Sequence, residues 1–464
     1  MDKSINMTNT EALGVLKMPQ LIKKMAVPAA VGFLVMNIYF IADSIFIGKF
    51  VGSMGIAAVS VVMPITFLIS SIGMAIGVGG SSLISRFLGA EDKTEANKVF
   101  GNMTSLTIVL SILIMLIGYS FLDQIITAFG AKGAIFEPAK EYFSSLIIAI
   151  PFLAWSMMSN NVMRAEGAPK KAMMIMVISA LVNLVLDPIF IIGFGWGMKG
   201  AAYATVLGYL SAAVYSFLFF AKGNSTLKFN PKLFKLQLKY IKPIFSIGSV
   251  TLARQGTVSL LSIVLNHSLF TYGTEVAVAA YGIISRLMMF TNFPVLGITQ
   301  GFLPIAGFNF GAKKYDRVIS AIKLSVLYGS IIAGSIFIFI LMFPQELTQI
   351  FVTKADTDIL EMAPAAMIIV FAATPLITAQ LIGSAYFQAI GKALPALFLT
   401  LTKQGMFLIP FILILPIHYD LHGIWMAFPI SDVLATTVTL LFLRKAIKKL
   451  RVEEKNNTEL VSTD

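Results

Sequence analysis

The fold is decided by two similar stretches, Gly73-Met-Ala-Ile-Gly-Val-Gly-Gly-Ser-Ser-Leu-Ile-Ser-Arg-Phe-Leu-Gly89-Ala90 and Val295-Leu-Gly-Ile-Thr-Gln-Gly-Phe-Leu-Pro-Ile-Ala-Gly-Phe-Asn-Phe-Gly311-Ala312. Each is an apolar, glycine-rich segment that runs into a charged loop, and one lies in each half of the chain. A second pair, Met163-Arg-Ala-Glu-Gly167 and Phe387-Gln-Ala-Ile-Gly391, keeps almost the same offset. Duplicated halves in a membrane protein are typical of transporters whose binding site lies between or within the repeats.

Composition places the whole chain in a membrane. Of its 464 residues, 57% are hydrophobic and only 12% are charged, and the mean hydropathy is +0.85. About 20 apolar residues suffice to span a bilayer as a helix, and continuous rather than alternating apolar runs exclude a β-barrel. We therefore predict an all-α membrane protein with twelve transmembrane helices in two pseudo-symmetric six-helix lobes. The twelve predicted spans are 21–47, 55–83, 99–120, 139–163, 171–193, 200–221, 243–269, 276–306, 318–343, 361–390, 394–416 and 423–444.

The net charge of +12 reflects topology rather than a nucleic-acid partner. Counting alternate loops, 28 of the 35 Lys and Arg residues fall on one side, five on the other and two inside apolar runs. The side rich in Lys and Arg is the cytoplasmic side. The bias predicts a multi-pass protein of a prokaryotic cytoplasmic membrane, with both termini in the cytoplasm.

A polar segment divides the chain into halves. We predict an N-terminal lobe over 1–221, a cytoplasmic linker over 222–242 and a C-terminal lobe over 243–450. The tail 451–464 is polar and lacks apolar periodicity, so it is predicted to be disordered.

Several function classes are excluded by the motifs. Gly391-Lys392 lacks the preceding glycine of a phosphate-binding loop, and the Gly73–Gly80 run lies inside a membrane helix. There is no cysteine, and the three histidines are scattered. We expect no enzymatic activity, no cofactor and no nucleic-acid partner. The expected partners are small organic molecules and the lipid bilayer, and the protein is expected to be a monomer.

Charged groups inside the membrane are costly, so they mark functional sites by default. Asp43 lies roughly five helical turns beyond Lys24, and Asp187 lies between four and five turns beyond Lys171. At about 1.5 Å per residue, both carboxylates reach a similar level in the outer half of the bilayer. Thr205, entering from the outside, reaches that level too.

Other polar groups accompany these carboxylates. Tyr39 precedes Asp43 by one helical turn and Asn183 precedes Asp187 by one turn, so each pair shares a helix face. Pro188 removes a helix hydrogen bond and frees a carbonyl near Asp187. This oxygen-rich set suits a hard cation such as Na⁺, and the carboxylate pair equally suits a proton. The alternative for Asp43 is a position in the interfacial layer, without a binding role.

The second half carries a different set of charges. Arg254, Arg286 and Asp432 all lie deep in apolar runs. Because an unpaired Arg in the membrane is very unfavourable, we predict a buried ionic cluster in which Asp432 pairs with Arg254 or Arg286. A structural role is favoured over substrate binding for this cluster.

Several of these stretches together resemble the multidrug and toxic compound extrusion (MATE) family, with the closest likeness to its prokaryotic DinF-like and MepA-like members. The likeness covers essentially the whole chain. It rests on Asp43-Ser-Ile-Phe-Ile-Gly48, Gly77-Val-Gly-Gly-Ser-Ser-Leu-Ile-Ser-Arg-Phe-Leu-Gly-Ala-Glu-Asp92, Met163-Arg-Ala-Glu-Gly167, Asn183-Leu-Val-Leu-Asp-Pro-Ile-Phe-Ile191 and Gly200-Ala-Ala-Tyr-Ala-Thr205. It implies two lobes around a central cleft, alternating access, and export of organic cations and amphipathic drugs by antiport with H⁺ or Na⁺.

The resemblance also implies residue roles. The family's first-lobe coupling site falls here on Tyr39, Asp43, Asn183, Asp187 and Thr205. Asn160, Arg254, Gln255 and Arg286 are candidates for the substrate cleft, and Pro28 is a candidate hinge in the first helix. Other members carry acids on the seventh and tenth helices, where this chain has Arg254-Gln255, Gln380 and Gln388. Coupling is therefore expected to rest on the first lobe.

A related function remains open. Flippases for lipid-linked precursors share this architecture, and they are expected to line the cleft with cationic residues that bind pyrophosphate. Arg254 and Arg286 fit that expectation, whereas the Asn-Leu-Val-Leu-Asp-Pro motif favours a drug exporter.

Overall fold

The computed structural model describes residues 8–223, 225–352 and 356–462. In these residues the secondary structure is helical, without a strand, and the all-α fold class is confirmed. The helices of the first half are α1 (Asn9–Val15), α2 (Met18–Phe50), α3 (Ser53–Gly89), α4 (Lys93–Ser120), α5 (Leu122–Ala128), α6 (Phe136–Ile147), α7 (Ile150–Ala165), α8 (Pro169–Pro188) and α9 (Gly197–Ala221). Those of the second half are α10 (Leu238–Tyr272), α11 (Glu275–Gly311), α12 (Tyr315–Met342), α13 (Pro344–Gln349), α14 (Thr357–Phe371), α15 (Ile377–Ala389), α16 (Ala393–Leu401), α17 (Ile409–Ile414) and α18 (Pro416–Ser462).

Eleven helical segments of the described chain are long and apolar enough to cross a membrane. The number is twelve if α6 and α7, which are bent by 57° at the break between them, are counted as one span. Two spans contain π-helical turns, over Ile189–Gly193 after α8 and over Thr402–Leu408 between α16 and α17. The first follows Pro188 directly, where the missing amide hydrogen was expected to disturb the helix. The helical exterior is apolar: Ile108, Val109, Ile112, Leu113 and Leu116, for example, are exposed along α4. Such a surface fits lipid rather than water.

The internal repeat is visible in matching contacts of the two halves. Asn160 Nδ2 donates to the carbonyl of Ala172, and Ser384 Oγ donates to that of Ala396. Each hydrogen bond joins two consecutive helices and connects residues that are equally far apart in the sequence. The second bond lies as many residues after the first as Gly391 lies after Gly167. The duplication read from the sequence is therefore a duplication of structure.

The chain divides into two compact units, but not at the predicted boundaries. One unit comprises 1–15 and 31–251, and the other comprises 16–30 and 252–464. The predicted division into 1–221 and 243–450 differs because two long helices change unit in their middle. The first part of α2 belongs to the second unit, and the first part of α10 belongs to the first unit.

Glycines allow the close packing of these helix segments. A Cβ on Gly79 of α3 would meet the carbonyl of Ile244 in α10, and one on Gly248 would meet that of Ala75. In the other unit, Cβ atoms on Gly297 and Gly301 of α11 would lie 2.7–2.9 Å from atoms of Ala30 and Ala26 in α2. Only glycine permits backbones to approach this closely.

Each unit has its own apolar core. The first core contains Phe143, Ile147 and Ile150 among others, and the second contains Met367, Phe371 and Trp425.

The linker and the tail differ from the prediction. Helix α10 begins at Leu238, inside the predicted linker, and the amide of Gln237 just before it donates to Asn102 Oδ1 at 2.7 Å. Residues from Arg451 were predicted to be disordered, yet α18 continues to Ser462. Glu454 explains part of this extension, since its carboxylate accepts the amide hydrogen of Tyr315 at 2.9 Å.

Candidate cation-coupling site

The first unit brings together the two predicted carboxylates. Asp43 on α2 is 5% exposed and Asp187 on α8 is fully buried. Their carboxyl groups lie within hydrogen-bonding reach of each other. The estimate from helix depth that both carboxylates reach one level agrees with this geometry, and Asp43 is buried inside the protein.

The pair lacks hydrogen-bond donors. Within the described part of the chain, no donor reaches Asp43 Oδ1 or either carboxylate oxygen of Asp187. Two ionised carboxylates can only accept hydrogen bonds, so neither can donate to the other unless one holds a proton. Buried polar groups without partners are costly, and two like charges side by side add repulsion. A proton or a small cation bound between the two carboxylates would relieve both costs.

Asn183 and Thr205 complete one side of this site. Asn183 Nδ2 donates to Thr205 Oγ1 at 3.0 Å, and Thr205 in turn donates to the carbonyl of Ala201 at 3.1 Å. The amide hydrogens of Asn183 thus point to Thr205, while its Oδ1 has no donor among the described residues. Asn183 Oδ1 is a further oxygen ligand available to a cation.

Three tyrosines surround the group, of which only one was predicted. Tyr39 lies beside Thr205 as expected. Tyr142 on α6 also lies beside Thr205, and Tyr209 on α9 is close enough to Asp43 for an electrostatic interaction. Tyr209 follows Thr205 by one helical turn, so its position on the same helix face was a usable signal. Tyr142 could be found by counting depth from the outer Lys140.

The other cleft candidates are more scattered. The amide of Asn160 is engaged with the carbonyl of Ala172 at 2.6 Å, a contact between α7 and α8. Arg254 and Gln255 are half-buried on α10. Arg286 on α11 is exposed, with its guanidinium 5.8 Å from the centre of the Phe351 ring. Their role towards substrate remains a prediction.

The prediction that Asp432 pairs with Arg254 or Arg286 is wrong. Asp432 Oδ1 pairs with Lys403 Nζ at 2.6 Å, and neither Arg254 nor Arg286 forms an ion pair within the described residues. Lys403 was counted with the lysines of the inner loops, although it lies well inside the span Ala393–Ile414. Arg286 does not bear the free-energy cost of a buried charge, because its side chain is exposed and its guanidinium contacts an aromatic ring.

The donor set fits Na⁺ or H⁺ better than a transition metal. Among the described residues there is no group of three or more His, Cys, Asp or Glu that could hold a metal ion. Two carboxylates, an amide oxygen and hydroxyl groups are hard oxygen ligands. Asp43 and Asp187 would hold the ion, with Asn183 beside them.

Comparison with known proteins identifies the family. The MatE family model matches residues 28–189 and 252–414, one match in each half of the chain. The chain is 28% identical over 428 residues to the multidrug export protein MepA of Staphylococcus aureus strain MSSA476, covering 92% of this chain and 94% of that protein. It is 27% identical over 435 residues to MepA of Staphylococcus haemolyticus strain JCSC1435, covering 94% and 95%.

Solved structures agree with this match. One is described as the outward-facing conformation of a multidrug resistance MATE family transporter, and its TM-score is 0.90 at 26% identity, covering 96% of this chain and 99% of the other. Another, a transporter of the MOP superfamily from Pyrococcus furiosus, has a TM-score of 0.90 at 27% identity, with the same coverage. The resemblance noted in the sequence is confirmed: the chain belongs to the MatE family of multidrug and toxic compound extrusion transporters and is not an enzyme.

Proposed function

We propose that the protein exports amphipathic organic compounds, including organic cations, in exchange for H⁺ or Na⁺ by alternating access in a prokaryotic cytoplasmic membrane. The observation that carries this proposal is the buried Asp43–Asp187 pair, in which Asp43 Oδ1 and both carboxylate oxygens of Asp187 lack donors in the described residues. The names of the staphylococcal relatives support drug export. Solved MATE structures in bent and straight conformations support a transport cycle.

The coupling step follows from the electrostatics of the pair. With both carboxylates ionised, repulsion and desolvation make the site attract any accessible cation. A proton would sit between Asp43 and Asp187, and a sodium ion would bind their oxygens together with Asn183 Oδ1. Either ion reduces the negative charge of the first unit, which weakens its hold on a cationic substrate. Exchange requires that ion and substrate stabilise different conformations, since a ligand shifts an equilibrium only by its differential affinity.

Pro28 is the proposed hinge of this step. It lies inside α2 on the N-terminal side of Asp43, and α2 passes from one compact unit to the other between Ala30 and Val31. Proline removes one backbone hydrogen bond and thereby weakens the helix at that point. A change of charge at Asp43 can thus be transmitted along the same helix to a flexible position.

Transport in liposomes tests the proposal. Ethidium export is followed under an imposed Na⁺ gradient and then under an imposed pH gradient, for wild type and Asp187→Asn. We expect one gradient to drive transport and Asp187→Asn to reduce it at least about tenfold, since the amide cannot take up the ion's charge. Asp123→Asn is the matched control, because Asp123 is exposed and paired with Lys140 outside the site. Equal transport by wild type and Asp187→Asn would contradict the proposal.

The second candidate is a flippase for lipid-linked precursors. Arg254 and Arg286 form no ion pair within the described residues, so both are available to a pyrophosphate group. If neither gradient drives export of any dye, flipping of a fluorescent lipid-linked pyrophosphate in the same liposomes is the next assay. Loss of flipping in Arg254→Gln would then favour this alternative.

A further inference from the structure

The second unit contains a charged cluster that the coupling mechanism does not use. Asp432 on α18 is 2% exposed, and its carboxylate pairs with Lys403 Nζ at 2.6 Å. Gln380 on α15 donates from Nε2 to the Asp432 backbone carbonyl at 2.9 Å, and to Asp432 Oδ1 at 3.2 Å. The same nitrogen lies 2.9 Å from Thr436 Oγ1, one turn further along α18.

The two charges are held unequally. Asp432 is fixed by Gln380 through both its backbone and its side chain, independently of the lysine. Lys403 Nζ has Asp432 as its single polar partner within the described chain, although an ammonium group can donate three hydrogen bonds. The lysine side chain is 21% exposed, against 3% for that of Asp432. The cluster therefore consists of a fixed anion and a more loosely held cation.

The internal repeat relates this anion to the coupling site. Gly200 on α9 packs against Phe190, and Gly423 on α18 packs in the same way against Leu415. The repeat therefore pairs Asp432 with Tyr209, since each lies nine residues after its glycine. Tyr209 interacts electrostatically with Asp43 in the first unit. Asp432 is thus the repeat equivalent of a residue near the proposed ion site of the first unit.

The backbone that carries Lys403 is irregular. Lys403 is the second residue of the π-helical turn Thr402–Leu408, and π-helical turns inside α-helices frequently occur at functional sites. In the first unit a π-helical turn likewise begins shortly after Asp187, at Ile189. Such a segment can carry its lysine towards or away from the acid with a small backbone change.

Stability alone is a weak explanation for this pair. A buried ion pair often contributes no more to stability than apolar side chains of the same volume, and charges inside the membrane are costly. An arginine would hold a carboxylate by two hydrogen bonds, whereas lysine is a flexible point charge. A lysine is the better choice where the bond must be released.

We propose that Asp432 is a second cation-binding carboxylate and that Lys403 is its internal counter-ion, which an organic cation displaces. This inference rests on the proposed export of organic cations and adds a substrate site to it. In the absence of substrate, Lys403 neutralises Asp432 and excludes inorganic cations. An organic cation that takes the place of the ammonium group finds the carboxylate already oriented by Gln380.

Binding of tetraphenylphosphonium to purified protein in detergent tests the proposal by titration calorimetry, without any ion gradient. Lys403→Gln removes the ammonium group that competes for Asp432 from within the chain. The affinity of this variant for tetraphenylphosphonium is therefore expected to rise about tenfold. Lys403→Arg keeps the charge and should bind no more tightly than wild type. The double variant with Lys403→Gln and Asp432→Asn should lose this gain in affinity. A thermal melt of each variant shows that it is folded.

An unchanged or lower affinity in Lys403→Gln would overturn the inference, and so would a gain that persists without Asp432. Absence of tetraphenylphosphonium binding in every variant would overturn it as well, while transport of other compounds could still establish export. The comparison of Lys403→Gln with Lys403→Arg decides the question even if the double variant does not fold. Asp43 and Asp187 stay intact in all variants, so this outcome is separate from that of the liposome assay.

Discussion

Glu166 is a carboxyl group that joins three parts of the first unit. It follows α7 directly, and its Oε2 accepts hydrogen bonds from Ser225 Oγ and the Thr226 amide, both at 2.6 Å. Its backbone carbonyl accepts a hydrogen bond from Thr10 on α1 at 3.2 Å. Burial raises the pKa of Glu166 to about 7, because these hydrogen bonds offset the loss of water only in part.

The raised pKa of Glu166 determines the direction in which the stability of the protein changes with pH. Between pH 4.5, the ordinary pKa, and about 7, the folded protein binds a proton that the unfolded chain has released. The contribution of Glu166 to stability therefore falls as the pH rises through this window, by roughly 3 kcal/mol at most. Glu166→Gln should gain in melting temperature relative to wild type from pH 5 to pH 8. The exposed Glu91→Gln is the control, and a constant difference across this range would contradict the expectation.

The residues of the proposed ion site could be predicted where distance along one helix decides their position. Asp43, Asp187, Asn183 and Thr205 followed from depth and helical spacing. The partner of Asp432 did not, since it depends on which side chains three helices bring together. Lys403 was also counted with the lysines of the inner loops, although the predicted span 394–416 contains it.

At the scale of helices, close backbone contact at glycine holds the crossing segments of α2 and α10. The repeated glycine-rich stretches of α3 and α11, recognisable in the sequence, each receive one of these segments. Spans and their order were predictable from hydropathy because each helix must satisfy its own backbone in lipid. The assignment of the first parts of α2 and α10 to the opposite unit was not predictable. The local sequence pattern of a helix does not determine which neighbouring helix it contacts.

Gly79 provides a test of this packing. In Gly79→Ala the new Cβ would collide with the backbone carbonyl of Ile244, which no side-chain movement can relieve. We expect Gly79→Ala to lose about 2 kcal/mol or more of stability, seen as a lower melting temperature in detergent. Gly282→Ala is the matched control, because a Cβ there has no atom within 4 Å. A melting temperature for Gly79→Ala equal to that of the control would refute the interpretation.

At the scale of the whole molecule, charge asymmetry predicts orientation. The inner loops carry far more Lys and Arg than the outer ones, even after Lys403 is moved into a span. The bias acts during insertion and is therefore independent of how the helices later pack. The charge bias therefore predicts that both termini lie in the cytoplasm.

Cysteine labelling can measure this orientation, since the chain has no cysteine of its own. Lys132→Cys and Lys222→Cys each introduce one exposed thiol, on opposite predicted sides. A membrane-impermeant maleimide applied to intact cells should label Lys132→Cys and leave Lys222→Cys unlabelled until the cells are opened. Labelling in the reverse order would show that both termini lie outside.

The division of α2 and α10 between the units also bears on how the two halves of the duplication depend on each other. A break in the linker would give two fragments, and each would carry a helix segment that belongs to the other's unit. Each fragment would then lack the helix segment that packs against its own glycine-rich stretch, in α3 or in α11, so we expect each to be degraded by membrane proteases when made alone. Made together, they should reassemble by fragment complementation. We therefore expect the two halves of the duplication to depend on each other for their packing.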